Sequence, residues 1–152
     1  MSTPPSPEAN VKQVVPFFCV TDMERSLRYY VEGLGFTRTN QWIVNGEIRW
    51  CWLQLGGAAL MLQTCGTKIL NSMPAGGKLG QGVSIWFQCK DAIALYHEFR
   101  SRGIEASEPQ VGNGLWDTML SDPDGYRLNF ESPTDAPEET KLSEYQQAQQ
   151  GS

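Results

Sequence analysis

The sequence predicts an α+β protein made of two βαβββ half-domains that form a curved mixed sheet around a groove, with the helices on the outside. Three observations carry that prediction. The segment VVPFFCVTDMERSLRYYVEGLGF, Val14 to Phe36, reads as an apolar strand, an Asp-initiated amphipathic helix and a glycine stop. The segment VSIWFQCKDAIALYHEFRSRGI, Val83 to Ile104, repeats that order about 69 residues later. After each copy the chain changes to short strands separated by turn residues. A duplicated half-domain predicts a pseudo-symmetric fold with a groove between like surfaces.

The elements follow in order from local chemistry. Asp22, or Thr21 beside it, can accept hydrogen bonds from the unpaired amides of the first helical turn, and Asp91 is the equivalent residue in the second copy. Gly35 and Gly103 suit the left-handed residue that closes a helix. Met23, Leu27, Tyr30 and Leu34 recur at helical spacing in the first copy, as do Ala92, Leu95, Tyr96 and Phe99 in the second. The strand before each helix is apolar on nearly both faces, which predicts that it is buried. Trp42 to Val44 and Ile48 to Leu55 flank Asn45-Gly46, a pair suited to a tight hairpin turn. Gly56-Gly57 then leads into a strand at Ala58 to Gln63. In the second half Leu115 to Ser121 and Tyr126 to Glu131 flank the turn Asp122-Pro123-Asp124-Gly125.

These elements divide the chain into a disordered N-terminal tail at 1–10, a first module at 11–66, a linker loop at 67–80, a second module at 81–133 and a polar C-terminal tail at 134–152. Both tails are expected to be mobile, the alternative for the second being a short C-terminal helix docked by Leu142 and Tyr145. A chain of this length buries roughly two-thirds of its unfolded surface, so its core needs no covalent staples. Cys19, Cys51, Cys65 and Cys89 show no CxxC spacing and read as buried free thiols. The formal charge is −5. Much of it comes from the tail, where Asp135, Glu138, Glu139 and Glu144 face only Lys141, so the body is nearly neutral. There is no basic stripe for a phosphate backbone, which argues against nucleic acid as a partner. The chain shows neither a signal-peptide pattern nor an apolar run long enough for a bilayer, and it is expected to be cytoplasmic with no membrane partner.

The run from Asp22 through Ser26, Tyr29, Tyr30, Leu34, Gly35 and Phe36, paired with Asp122-Pro123-Asp124-Gly125-Tyr126 before the last strand, resembles the vicinal oxygen chelate superfamily. That superfamily includes glyoxalase I, extradiol dioxygenases, fosfomycin-resistance enzymes and bleomycin-resistance proteins. The resemblance covers Val11 to Pro133. The opening Val14-Val15-Pro16-Phe17-Phe18 looks most like the bleomycin-resistance branch, whose members resemble non-catalytic dimers that sequester a drug. The resemblance implies four metal-ligand positions, which fall here on Val15, Met61, Ser84 and Asn129. Catalytic divalent metals need imidazole, carboxylate or thiolate donors, so the expectation is no metal and no cofactor. Gln63 does not rescue such a site. His97, the only histidine, falls on the second helix and not on a strand.

Strand alternation, with those positions as markers, places Val15, Phe17 and Cys19, then Met61 and Gln63, on the groove side. Ser84, Trp86 and Gln88, then Arg127, Asn129 and Glu131, join them, as do Trp50, Trp52 and Gln54. Phe17, Trp50, Trp52 and Trp86 would form an aromatic wall for a flat, partly apolar ligand, with Trp116 as a lid or rim. Met61, Gln63, Ser84, Asn129 and Glu131 complete the expected ligand set. The function this predicts is metal-independent sequestration of a small planar molecule, a cationic antibiotic being one candidate, by a homodimer. The alternative is a metal-independent lyase or isomerase using Glu131 as general base with Arg127 as electrophilic partner. A second alternative is a catalytically inactive assembly domain.

Overall fold

In a computed structural model of the chain, residues 10–73 and 77–151 are described; all but the last residue of the expected N-terminal tail lies outside them. The first half consists of β1 (Phe17–Val20), α1 (Met23–Leu27), β2 (Thr37–Val44), β3 (Glu47–Leu55) and β4 (Ala58–Thr64). A short α2 (Thr67–Ser72) follows. The second half consists of β5 (Ser84–Gln88), α3 (Ala92–Ser101), β6 (Gln110–Gly112), β7 (Leu115–Ser121) and β8 (Arg127–Pro133), and α4 (Leu142–Gln150) ends the chain. Two four-stranded mixed sheets result, in the orders β1-β4-β3-β2 and β5-β8-β7-β6. In each sheet the first strand lies parallel to the last and the other neighbours are antiparallel. The halves therefore match residue for residue: Phe17 beside Met61 is the counterpart of Trp86 beside Asn129.

The caps explain where the helices begin. The Asp22 carboxylate accepts from the Arg25 amide at 3.1 Å and Asp91 accepts from the Ala94 amide at 2.9 Å. α1 then continues through a wider turn over Arg28–Gly33, in which the Leu34 amide reaches the Tyr29 carbonyl at 2.9 Å. This i to i+5 bond inserts an extra residue into the last turns. The β2–β3 hairpin turns at Asn45 and Gly46, with φ of 52° and 78°, as a primed turn requires.

The inner faces of both sheets share one core. Phe18, Val20, Leu53, Leu60 and Leu62 meet Phe87, Phe99, Leu120, Leu128 and Phe130 within it. Phe87 stacks on Phe130 at 4.5 Å and meets Phe36 of the first half edge-on at 6.2 Å. Side chains of this size each stabilise the fold by about 1.5–3 kcal/mol on full burial. Polar ties cross the same junction. The Tyr30 hydroxyl donates to Asp122 at 2.7 Å, the Thr21 hydroxyl donates to Asp124 at 2.5 Å, and the Tyr126 hydroxyl donates to the Cys19 carbonyl at 2.9 Å. The Asp122–Gly125 turn thus connects the halves as well as reversing the chain.

The structure corrects two expectations here. β1 and β5 are not buried on both faces, since Phe17 and Trp86 are 47% and 50% exposed. Both residues lie on the face opposite Phe18 and Phe87, which belong to the core, and so stay in contact with solvent. The polar segment after Pro133 is not featureless: Leu142 of α4 is buried with Val111 and Trp116, and Lys141 bridges to Gln110 beside β6. Two apolar residues three apart, Leu142 and Tyr145, suffice to dock this otherwise polar helix. All four cysteines are free thiols, with Cys51 buried and the others half-buried. Burial pushes the Cys51 thiol up to about 11 and the Cys65 thiol up to about 12, which keeps both protonated and unreactive. His97 is exposed on α3. Among the described residues no helix is long and apolar enough to cross a membrane.

Candidate functional site

The sheet faces turned away from the core carry most of the residues expected in the groove, and strand register orders them in rows. On the first sheet Phe17, Met61, Trp52 and Asn40 form one row, and Cys19, Gln63, Trp50 and Trp42 form the next. This is an aromatic surface with a thioether at its centre. On the second sheet the rows are Ser84, Arg127 and Ser121, then Trp86, Asn129 and Met119, then Gln88, Glu131 and Asp117. One end of that sheet is cationic, the other is acidic, and Trp86 lies between them.

The acidic end is held by hydrogen bonds. Gln88 Nε2 donates to Glu131 Oε1 at 2.5 Å, and Asn129 Nδ2 donates to both Asp117 oxygens at 3.1 Å. Asn129 is only 3% exposed, yet its Oδ1 has no hydrogen-bond partner. Flipping the amide would set that oxygen against the Asp117 carboxylate, so the donor network fixes the orientation. An unpartnered buried acceptor costs about 1–3 kcal/mol. Burial raises the Asp117 pKa and the Glu131 charge adds to the rise, while the Asn129 hydrogen bond opposes it. Asp117 and Glu131 form a patch of acceptors suited to an N–H donor carrying positive charge, with the buried Asn129 amide orienting the Asp117 carboxylate from beneath.

Asp117 was absent from the sequence-based ligand set. Its signal was present in the hairpin: counting back from Ser121 opposite Arg127 across the turn sets Asp117 opposite Glu131.

Most of the other expected residues occupy the outer faces: Phe17, Trp50, Trp52, Met61 and Gln63 on the first sheet, and Ser84, Trp86, Asn129 and Glu131 on the second. Trp116 does not. It is 4% exposed, lies on the inner parity of β7, and meets Tyr145 of α4 edge-on at 5.5 Å. Nor is the adjacent Gly-rich stretch free to act as a lid, because Glu138 accepts from the Asn113 and Gly114 amides at 2.9 and 2.7 Å. Arg127 and Glu131 are not brought together. They occupy separate rows, about 13 Å apart along β8 at the usual rise per residue.

Two cavities touch these faces. One of about 750 Å³ lies at the junction of the halves, where Trp86 and Gln88 join Val14, Leu55, Ala58 and Phe130. Another of about 570 Å³ holds Ser84 and Arg127. Neither these nor three further cavities are lined by Phe17, Trp50, Trp52, Met61, Gln63, Asn129 or Glu131. Except for Asn129, which is buried, those residues are at least partly exposed on the outer sheet faces.

The donor set does not fit a catalytic metal. Val15, Met61, Ser84 and Asn129 supply an aliphatic group, a thioether, a hydroxyl and an amide, and the amide nitrogen is already engaged with Asp117. Among the described residues no three His, Cys, Asp or Glu side chains converge so as to hold an ion.

The fold and the repeated half-domain agree with comparisons to known proteins. The chain belongs to the Glyoxalase/Bleomycin resistance protein/Dioxygenase superfamily, whose family model matches residues 11–130. Among solved structures it is similar to TnmS3, an antibiotic binding protein from Streptomyces sp. CB03234, at 23% identity and a TM-score of 0.61, over 81% of this chain and 98% of that one. It is similar to TioX from Micromonospora sp. ML1 at 20% identity and a TM-score of 0.63, over 81% and 99% of the two chains. The bleomycin resistance determinant encoded on transposon Tn5 matches at 21% identity and a TM-score of 0.63, over 83% of this chain and 100% of that one. No curated protein matches the sequence. At these identities the likeness concerns the fold.

Proposed function

We propose that this protein binds and sequesters a small, planar, partly apolar molecule bearing a positive charge, without a metal and without turning it over. The observation that carries the reading is the division of labour between the two outer faces. Trp50, Trp52 and Phe17 offer flat apolar area, and Asp117 and Glu131 offer acceptors with no competing cation in their row. Aromatic faces give large contact area at low entropic cost, and the acceptors fix orientation. The antibiotic-binding and bleomycin-resistance proteins among the structural neighbours are consistent with this use of the fold.

The binding groove forms between two chains. In one chain the aromatic and acceptor faces line no common cavity, while Phe17, Trp42 and Trp86 remain about half exposed. A two-fold pairing that sets the first sheet of one copy against the second sheet of the other would cover both faces twice, once per groove. Native mass spectrometry of freshly purified protein tests these claims together. The expected result is a dimer with no stoichiometric metal and with room for one organic ligand per groove. A stoichiometric zinc, nickel or iron ion would overturn the metal-free reading, and a monomer at micromolar concentration would overturn the shared groove. Glu131→Gln separates binding from catalysis, because it should weaken affinity for a cationic ligand and leave no turnover to abolish.

A further inference from the structure

The cavity at the other end of the second sheet has the opposite chemistry from the acidic row. It holds about 570 Å³ and is lined by Lys78, Gly80, Gly82, Ser84, Ser121 and Arg127 among others, with no carboxylate in its wall. In a chain of formal charge −5, two cations facing one cavity need an explanation. The carboxylates nearest in sequence are Asp122 and Asp124. Both are largely buried and line a neighbouring cavity that also includes Lys78, and both are engaged by other groups. Asp122 accepts from the Tyr30 hydroxyl and from the Asp124 and Tyr126 amides. Asp124 is engaged by Thr21 and by Arg25. Among the described residues neither Lys78 nor Arg127 has an ion-pair partner.

The cavity is shaped by packing as well as by charge. Arg127 lies between Ser84 on β5 and Ser121 on β7, which brings a guanidinium and two hydroxyls into one row. The segment from Lys78 to Val83 folds over that row and is held at two points. A Cβ at Gly80 would collide with the Tyr126 Cα, and a Cβ at Gly125 would come within 2.9 Å of the Lys78 stem. The lysine chain is therefore laid along the turn at the cavity wall. Gly82 brings no side chain to fill the space.

We propose that this cavity is a binding site for a phosphate group, either free or as the monoester end of a small molecule. A planar guanidinium, a mobile ammonium and two hydroxyls match the two charges and several oxygens of a phosphate better than those of a single carboxylate. The site shares Ser84 with the expected ligand set but stands on the cavity itself. It does not depend on what the aromatic face binds.

The test is amide NMR of the full-length protein titrated with inorganic phosphate, with acetate as a control at the same ionic strength and a phosphomonoester such as glycerol phosphate in a third arm. Saturable shifts are expected at the amides of Lys78 to Ser84 and Gly125 to Arg127. Phosphate should bind more tightly than acetate, and Lys78→Gln and Arg127→Gln should each weaken it by about tenfold. Tighter binding of the monoester identifies an organic phosphate as the ligand; equal or tighter binding of phosphate identifies the free ion. Shifts that fail to saturate, that persist undiminished in both variants, or that acetate reproduces at equal affinity would overturn the assignment. Trp52→Ala serves as the cross-control. It should weaken planar-ligand binding and keep phosphate affinity, so failure of one reading is distinguishable from failure of the other.

Discussion

Asn129 shows how one residue changes the meaning of a site. At a position that the resemblance implies as a metal ligand, its amide donates to Asp117 and leaves Oδ1 buried and unpaired, which does not fit a catalytic metal. Asp117 gives the site a pH signature. Its pKa is raised, first by burial and then by the Glu131 charge. A carboxyl group whose folded pKa lies above its unfolded value contributes stability that is fully present below the unfolded pKa and is lost as pH rises through the folded one. Asp117→Asn should therefore gain thermal stability relative to the parent protein as pH rises above the ordinary carboxylate range and through the raised pKa, which paired thermal melts would show. Ligand affinity should run the other way. A cationic ligand needs Asp117 ionised, and its binding should weaken as pH falls through the raised pKa. On the aromatic face, Trp50→Ala and Trp52→Ala should each cost about 0.5–1.5 kcal/mol of affinity for a planar dye. Fluorescence titration would reveal this, and unchanged affinity in both variants would remove the wall from the site.

Among the elements, the Asp122–Gly125 turn matters most. The sequence marks it as a hairpin turn, and it is one. Its larger role is visible only when Tyr30 from the other half donates to Asp122, which also accepts two backbone amides of its own turn. Asp122→Ala would leave a buried hydroxyl and two amides unpaired and should destabilise the protein by about 2–4 kcal/mol in urea unfolding. Asp122→Asn keeps an acceptor for the amides and should cost markedly less. Elements were legible where local rules decide them: the Asp caps, the Asn-Gly hairpin and the period-two alternation of β3, β7 and β8. They were less legible where a distant segment decides. The burial of Trp116 follows from α4, where Leu142 and Tyr145 offered a docking face in an otherwise polar segment but not the place it would dock. Leu142→Ala, by opening that contact, should lower stability by about 2 kcal/mol and change the near-UV circular dichroism around Trp116.

At the scale of the whole molecule, the inner faces of the two sheets are covered and the outer faces are not. One core joins the halves, while Trp42, Trp86 and Phe17 keep about half their surface in solvent. If a second copy covers these faces, Trp86→Glu should shift the protein from dimer to monomer in sedimentation analysis without unfolding it. A dimer that survives this change would place the interface elsewhere. The sequence alone determined the duplicated βαβββ pattern, the caps and turns that punctuate it, and the four ordinary residues at the family's metal positions, because each depends on neighbours a few places away or on counting along a strand. Only the tertiary structure decided what those positions mean together. It left the Asn129 oxygen without a partner, buried Trp116 and gathered Lys78 and Arg127 around one cavity. Those outcomes depend on register and packing between segments far apart in the chain, where charge, burial and hydrogen-bond partners are settled jointly.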